Sequence, residues 1–262
     1  NVPNLTSYLT EYLSYGNGMD ILKKVEESVF RPSKKLMEHV GNVIKGKSEY
    51  ILLDEQLVAY DKVLTTAKEG YHDRKKVVII IKGGPGTGKS VIAINLMADL
   101  LLTGYNAHYA TGSRAFTETL RKSIGARGAP QFKYFNNYVD ADYNELDVLI
   151  ADEAHRIRKT SNTRFQKVSD KLQIEELINV AKVPVFLLDD DQVVRPNEIG
   201  STALIKEYSE NENCTVLEYE LEAQFRCAGS SGFVNWINNT LGIRRTANVL
   251  YDKGDNFDFK IF

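Results

Sequence analysis

A glycine-rich segment followed by a lysine and a serine is the clearest chemical feature of the sequence. Residues 83–90 read GGPGTGKS and fit the pattern G-x-x-x-x-G-K-[ST]. Glycines let successive backbone N–H groups turn inward on a polyphosphate, and a helix that begins at the lysine presents the positive end of its dipole. Lys89 is predicted to reach the outer phosphates and Ser90 a magnesium ion. The predicted phosphate-binding residues are Gly83, Gly84, Pro85, Gly86, Thr87, Gly88, Lys89 and Ser90.

Two adjacent carboxylates follow a second apolar run, LDVLIA at residues 146–151. Asp152 at the tip of a buried strand can hold magnesium through water, and Glu153 can orient or deprotonate the attacking water. Two acids at a strand end can also cap a helix, but their place opposite a phosphate loop favours the catalytic interpretation. The sequence therefore predicts hydrolysis of a triphosphate, with Ser90 and Asp152 on Mg²⁺ and with Lys89 and Glu153 as catalytic residues.

Three further polar residues stand where they could serve the same ligand. Gln192 follows a third apolar run and can sense the outer phosphate. Arg226 follows a fourth and can neutralise charge that grows on the leaving phosphates, although a surface salt bridge is the alternative. Gln56 lies near the start of a predicted helix, and a side-chain amide can both donate to and accept from one edge of adenine. Together these residues predict ATP as the nucleotide.

Polar and aromatic side chains also suggest a nucleic-acid partner. Thr111, Ser113 and Arg114 follow a short predicted strand, where a parallel sheet gathers its ligands. Tyr134 and Phe135 lie in a segment that mixes basic and aromatic residues, and aromatic rings can stack bases. A helix cap at Thr111 or Ser113, and a loop with a partly buried aromatic anchor, explain the same residues. Single-stranded DNA or RNA is therefore a predicted partner at these five positions.

Apolar runs separated by helical patterns must position this chemistry. The predicted strands end at Gly83, Thr111, Asp152, Asp189 and Glu222. This alternation predicts an α/β fold of the RecA-like P-loop NTPase type, a parallel sheet flanked by helices. Residues 1–48 show helical spacing and form a predicted N-terminal helical segment, ahead of a RecA-like ATPase domain at 49–262. The chain opens on Asn and stops in a strand-like stretch, which we interpret as an excised fragment.

Composition limits the classes of protein that fit. Among 262 residues, 43% are apolar, which is ordinary for a soluble globular domain. The formal net charge of −2 provides no general basic field, so nucleic-acid binding would depend on local patches. Cys214 and Cys227 form no C-x-x-C pair and suggest neither a zinc site nor a disulfide framework. No apolar run reaches the roughly 18 residues of a membrane span, so no membrane partner is expected and a cytoplasmic location is the default.

Taken in order, the motifs resemble the first motor domain of superfamily 1 helicases. Gln56 is similar to the adenine-reading glutamine motif; the other similar segments are GGPGTGKS (motif I), YATGSRAF (Ia), IADEAH (II), LDDDQ (III) and LEAQFR (IV). From about Arg31 to its end, the chain resembles the Schlafen-like DNA/RNA helicase domain of many bacterial proteins. The resemblance implies an ATP- and Mg²⁺-dependent helicase or translocase core, to which other domains can be fused.

The sequence departs from the superfamily pattern at two positions and after motif IV. His155 stands where motif II commonly has glutamine, and Leu188 where motif III has glycine. Motifs V and VI do not follow, and a helicase hydrolyses ATP in the cleft between two RecA-like domains. The resemblance therefore implies a missing second domain and slow turnover by this segment alone.

Two other functions fit the same phosphate loop. One is a nucleotide-switched regulatory NTPase, for instance in defence against foreign nucleic acid, which would bind ATP without separating strands. The other is a small-molecule kinase, in which Gln56 and Arg226 would have no natural role.

Overall fold

A parallel β-sheet organises the part of the chain that the structure describes. The computed structural model describes Leu52, residues 54–69, 76–126, 128–161, 171–193, 195–222, 231–243 and Arg245. The strands are β1 (Val77–Gly83), β2 (Ala107–Thr111), β3 (Phe132–Tyr134), β4 (Leu146–Asp152), β5 (Ala181–Leu188) and β6 (Thr215–Leu221). Their spatial order is β3-β2-β4-β5-β1-β6, and every neighbouring pair is parallel. The predicted parallel α/β sheet is confirmed.

Five described helices cover the two faces of the sheet: α1 (Asp54–Glu69), α2 (Lys89–Leu102), α3 (Arg114–Ile124), α4 (Gln173–Asn179) and α5 (Thr202–Asn211). A further described helix, α6 (Ser231–Thr240), follows the last strand in the chain. Short 3₁₀ turns occur at Ala129–Gln131, Phe135–Tyr138, Ala154–Arg156 and Asp190–Gln192. In the described residues, none of the helices combines the length and the apolar character that crossing a bilayer requires.

The chain divides into two compact units. One contains residues 32–229 and holds the whole sheet, and the other contains residues 1–31 and 230–262. Of the second unit, the structure describes α6 and the few residues after it. The predicted N-terminal helical segment at 1–48 and its boundary lie outside the described residues and stay a prediction.

Apolar side chains fill a core on each side of the sheet. Successive residues of a strand point to opposite faces, so Ile79 and Ile81 of β1 join one core while Val78 and Ile80 join the other. Helices α1 and α2 cover the first core, and α4 and α5 cover the second. Burial on both faces explains why the strands read as continuous apolar runs rather than as alternating patterns.

The parallel arrangement brings the strand ends to one edge of the sheet. Thr111 at the end of β2 pairs with Asp152 at the end of β4, and Gly83 at the end of β1 pairs with Leu221 of β6. Strand β5 lies between β1 and β4, so the phosphate loop and the acid pair face each other across a single strand. The fold therefore places the predicted chemistry on one edge.

We expect the core beneath this edge to dominate stability. Phe186 of β5 is 0% exposed, and Phe186→Ala should lower the free energy of unfolding by about 3–5 kcal/mol because the cavity cannot fully collapse. Leu102→Ala, at a side chain that is 66% exposed, should change it by less than about 0.5 kcal/mol. Urea denaturation of both variants measures the difference, and equal losses would contradict the described core.

Candidate nucleotide site and adjoining groove

The phosphate loop joins β1 to α2 and has the backbone shape that its sequence predicts. Gly86 and Gly88 have φ values of 88° and 87°, a left-handed conformation that favours glycine. Lys89 Nζ donates to the carbonyl oxygens of Gly83, at 2.5 Å, and of Gly84, at 2.9 Å. The ammonium group therefore lies against the loop that is predicted to hold the phosphates.

Gln56 reaches this loop from α1. Its side chain is buried, and Nε2 donates to the carbonyl oxygen of Thr87 at 2.9 Å. A β-carbon on Gly88 would lie only 2.2 Å from the same nitrogen. Gln56 thus braces the loop immediately before Lys89. The contact brings the two motifs together, while the assignment of Gln56 to adenine stays a prediction.

Asp152 is buried beside the first turn of α2. The residue is 1% exposed, Oδ1 accepts from the backbone N–H of Glu153 at 2.9 Å, and the Ser90 hydroxyl lies near the carboxylate. Burial raises the pKa of Asp152 and the charge of Glu153 raises it further, whereas Tyr109, Ser90 and the backbone N–H of Glu153 lower it. The two residues predicted to hold magnesium therefore lie beside each other.

A tyrosine that the sequence interpretation did not single out completes the surroundings of Asp152. Tyr109 Oη donates to Asp152 Oδ2 at 2.5 Å, and its ring packs 5.5 Å from that of Phe132. Burial and the neighbouring carboxylate raise the pKa of Tyr109 well above its ordinary value, so the phenol stays a donor. A tyrosine in an apolar strand is typical of packing, and only the pairing of β2 with β4 reveals this contact.

Glu153 leaves the sheet in a strained conformation. Its φ of 54° and ψ of 46° are left-handed, which costs a non-glycine residue about 1–2 kcal/mol. The carboxylate is partly exposed, and Oε2 accepts from Arg156 Nη1 at 3.1 Å. Strain of this kind persists where the surrounding structure imposes it, commonly at functional sites.

His155 lies among residues from three motifs. The ring is buried, and Nδ1 has no hydrogen-bond partner among the described residues. Burial lowers the pKa of His155, the charges of Lys89 and Arg156 also lower it, and the carboxylates of Asp189 and Asp152 oppose them. A buried, neutral imidazole therefore lies between the phosphate loop and the ends of β4 and β5.

The polar turn after β5 is held by its own acids. Asp189 Oδ2 accepts from Gln192 Nε2 at 2.8 Å, and Oδ1 accepts from the backbone N–H of Asp191 at 3.1 Å. Asp190 accepts from the backbone N–H and the hydroxyl of Thr202 at 2.8 and 2.7 Å, which anchors α5. Gln192 therefore donates a hydrogen bond to Asp189, whose negative charge raises the pKa of His155. Arg226 lies outside the described residues, and its role stays a prediction.

A groove with a volume of about 520 Å³ adjoins this edge of the sheet. It lies at the ends of β2 and β3 and beside the turn after β4. Its lining includes Thr111, Arg114, Tyr134, Arg156, Arg158 and Gln173. Three guanidinium groups and an aromatic ring in one groove are the side chains that a nucleic-acid backbone and its bases contact.

The predicted nucleic-acid residues differ in their access to this groove. Arg114 is exposed and pairs with Glu118, and Tyr134 is half-buried with the Arg121 guanidinium 5.0 Å from its ring. Phe135 is 3% exposed and packs in the core, so Tyr134 is the one of the two aromatic residues with more accessible surface. Ser113 is buried at the N-cap of α3 and its N–H donates to Thr111 Oγ1 at 3.2 Å, but no described side chain caps the helix, so the cap foreseen as an alternative is not formed.

A parallel sheet that carries a phosphate loop after β1 and an acid pair after β4 defines a RecA-like P-loop NTPase. Residues 76–262 match the model of the family described as Schlafen group 3, DNA/RNA helicase domain. The chain belongs to this family, and the resemblance noted in the sequence is confirmed.

Two solved structures that resemble part of this chain have low sequence identity to it. The Pif1 helicase from Candida albicans is 19% identical over 72% of this chain and 44% of its own, with a TM-score of 0.43. AMPPCP-bound DnaA from Aquifex aeolicus is 18% identical over 80% of this chain and 58% of its own, with a TM-score of 0.38. The chain spans about half the length of these proteins. No curated protein matches it significantly.

Gly88 allows a direct test of the loop geometry. We expect Gly88→Ala to weaken nucleotide binding by at least about tenfold, which corresponds to about 1.4 kcal/mol, because the new β-carbon would collide with Gln56. Gly104 is a matched control, since its φ is 86° but nothing lies within 4 Å of an added β-carbon. Gly104→Ala should cost about 1 kcal/mol of stability and leave binding unchanged. Titration with a fluorescent ATP analogue measures the nucleotide affinity of each variant, and equal affinities of the two variants would contradict the loop geometry.

Proposed function

We propose that this chain is the ATP-binding and ATP-hydrolysing motor core of a DNA or RNA helicase or translocase. The observation that carries the proposal is the position of Ser90, in the first turn of α2, beside the buried Asp152 carboxylate. The two residues come from different strand ends and form the oxygen pair that holds Mg²⁺ in phosphoryl transfer by P-loop NTPases. Membership in a helicase domain family supports the same conclusion.

The donor set at this position suits magnesium. A hydroxyl and a carboxylate are hard oxygen ligands, and Mg²⁺ binds through one or two protein groups together with water and phosphate oxygens. Among the described residues, no group of three His, Cys, Asp or Glu side chains could hold a metal on its own. A site completed by the nucleotide is therefore the arrangement that Ser90 and Asp152 fit. When bound there, Mg²⁺ would neutralise charge on the β and γ phosphates.

The residues of the loop and of the acid pair divide the work of hydrolysis. Lys89 would exchange its two loop carbonyls for phosphate oxygens, since an ammonium group gains more from a charged acceptor. Glu153 would orient the attacking water and accept its proton. Gln192, which Asp189 holds near the buried His155, would respond to the γ phosphate. Arg226 would supply positive charge to the leaving phosphates.

The adjoining groove is the proposed path of a single strand. Arg114 and Arg158 would contact phosphates, and the Tyr134 ring would stack with a base. Thr111 stands at the end of β2, beside Asp152 at the end of β4. Nucleic acid in the groove would thus lie next to the residues that hydrolyse ATP, as a motor requires.

ATP hydrolysis by the full-length protein tests this function. We expect oligo(dT) or oligo(U) to raise the rate, and we expect Glu153→Gln to lower it by about 100-fold or more while ATP still binds, because the general base is lost. Glu210→Gln, on the exposed face of α5, is the control that should change neither rate nor binding. A rate that no oligonucleotide stimulates would count against a motor. ATP binding without duplex unwinding would favour the regulatory switch.

Tyr109 provides a second test, because its hydroxyl orients Asp152 and lowers the pKa of that carboxyl. Tyr109→Phe should raise the Mg²⁺ concentration required for half-maximal nucleotide binding by about tenfold. Mg²⁺ needs the ionised carboxylate, so its affinity should fall as the pH falls, and this loss should begin at a higher pH in the variant. Nucleotide binding titrated with Mg²⁺ at several pH values measures both effects. Tyr105→Phe, at the opposite end of β2, should behave as wild type.

A further inference from the structure

Arg156 belongs to the proposed catalytic site and to the groove at the same time. Its Nη1 donates to Oε2 of Glu153 at 3.1 Å, and its side chain lines the groove beside Arg158. The side chain is 20% exposed, so the guanidinium is accessible from the groove without being surrounded by solvent. One side chain therefore touches the proposed general base and the proposed nucleic-acid path.

The backbone that carries both residues is packed tightly on two sides. A β-carbon on Gly200 would lie 1.9 Å from the carbonyl oxygen of Ala154, and one on Gly112 would lie 2.9 Å from Cβ of Arg156. The N–H groups of Ile199 and Gly200 donate to the carbonyl oxygen of Ile157 at 2.7 and 3.2 Å. The turn is thereby braced, so a change at this place would be an exchange of side-chain partners rather than a movement of the backbone.

Glu198 has a second cationic neighbour, so an exchange of partners by Arg156 would not leave its buried charge unpaired. This buried carboxylate lies 3.4 Å from Nε of Arg156 and 3.8 Å from Nε of Arg195. If Arg156 turns toward the groove, Arg195 still accompanies Glu198, so no buried carboxylate loses its last cationic partner. A phosphodiester group can accept two parallel hydrogen bonds from a guanidinium and competes well with a single bond to a carboxylate.

We propose that Arg156 couples nucleic-acid binding to hydrolysis by holding Glu153 when the groove is empty and releasing it to a phosphodiester group that enters the groove. While the pair is intact, the guanidinium engages Oε2 and fixes the orientation of the Glu153 carboxylate, which keeps it from turning toward the attacking water. When a phosphate takes the guanidinium, the carboxylate becomes free to turn and serve the attacking water. Arg156 is thus a positioning residue, and this inference rests on the proposed function.

ATP hydrolysis by the full-length protein at saturating ATP, with and without oligo(dT) or oligo(U), tests the coupling. Arg156→Ala should raise the unstimulated rate by about 1.5-fold to fivefold, the range set by a partly exposed ion pair, and should bring the ratio of stimulated to unstimulated rates close to one. Arg156→Lys keeps the charge but lacks the planar fork, so its ratio should lie between those of wild type and alanine variant.

Lys182→Ala is the matched control, because Lys182 forms a similarly exposed ion pair with Asp147, 2.9 Å from Nζ to Oδ1, at the start of β5 and thus at the opposite end of the sheet. It should leave the unstimulated rate and the ratio of stimulated to unstimulated rates unchanged.

The outcomes separate the two proposals. Wild-type protein that hydrolyses no ATP under either condition would overturn the proposed function itself. A stimulated wild type whose ratio is unchanged in folded Arg156→Ala overturns the coupling alone, and so does a folded variant in which both rates fall. Circular dichroism establishes whether each variant folds. If Arg156→Ala does not fold, a wild-type ratio of stimulated to unstimulated rates in Arg156→Lys overturns the coupling.

Discussion

The proximity of Ser90 to Asp152 depends on one constraint, the parallel direction of β1 and β4. Parallel strands share a carboxyl edge, so the residue after each strand joins the same polar cluster. An antiparallel β4 would place its acids at the opposite end of the sheet. Strand β5 between the two sets their separation, and its own polar turn then adds Asp189 and Gln192 to the same edge.

Burial of charge at this edge has to be compensated. Asp152 is 1% exposed, and hydrogen bonds from Tyr109 and the backbone of Glu153 offset part of the cost of desolvating its carboxylate. The same burial leaves His155 neutral, with an Nδ1 that has no hydrogen-bond partner within the described part of the chain. A buried polar atom without a partner is costly unless a ligand or a change of state satisfies it, so the edge is well suited to a site that binds and releases nucleotide.

Particular residues show why part of the site could be predicted and part could not. The phosphate loop depends on contiguous residues, so its pattern alone predicted a glycine turn and the helix that begins at Lys89. The contact of Tyr109 with Asp152 joins residues 43 apart, and it follows from strand pairing that no local pattern encodes. Gln56 was predicted for adenine, and its described contact with the Thr87 carbonyl is a brace on the loop. Arg226 and the N-terminal segment lie outside the described residues.

By itself, the sequence determined the class of the protein. Continuous apolar runs predict buried strands and a glycine-rich loop predicts a phosphate-binding turn, because each depends only on residues adjacent in the chain. Only the tertiary structure decided which side chains share a partner. The fork of Arg156 between Glu153 and Glu198, and the burial of Phe135 beside the more open Tyr134, arise from packing between elements distant in the chain. Such contacts depend on distances of a few ångströms, which the order of the residues does not specify.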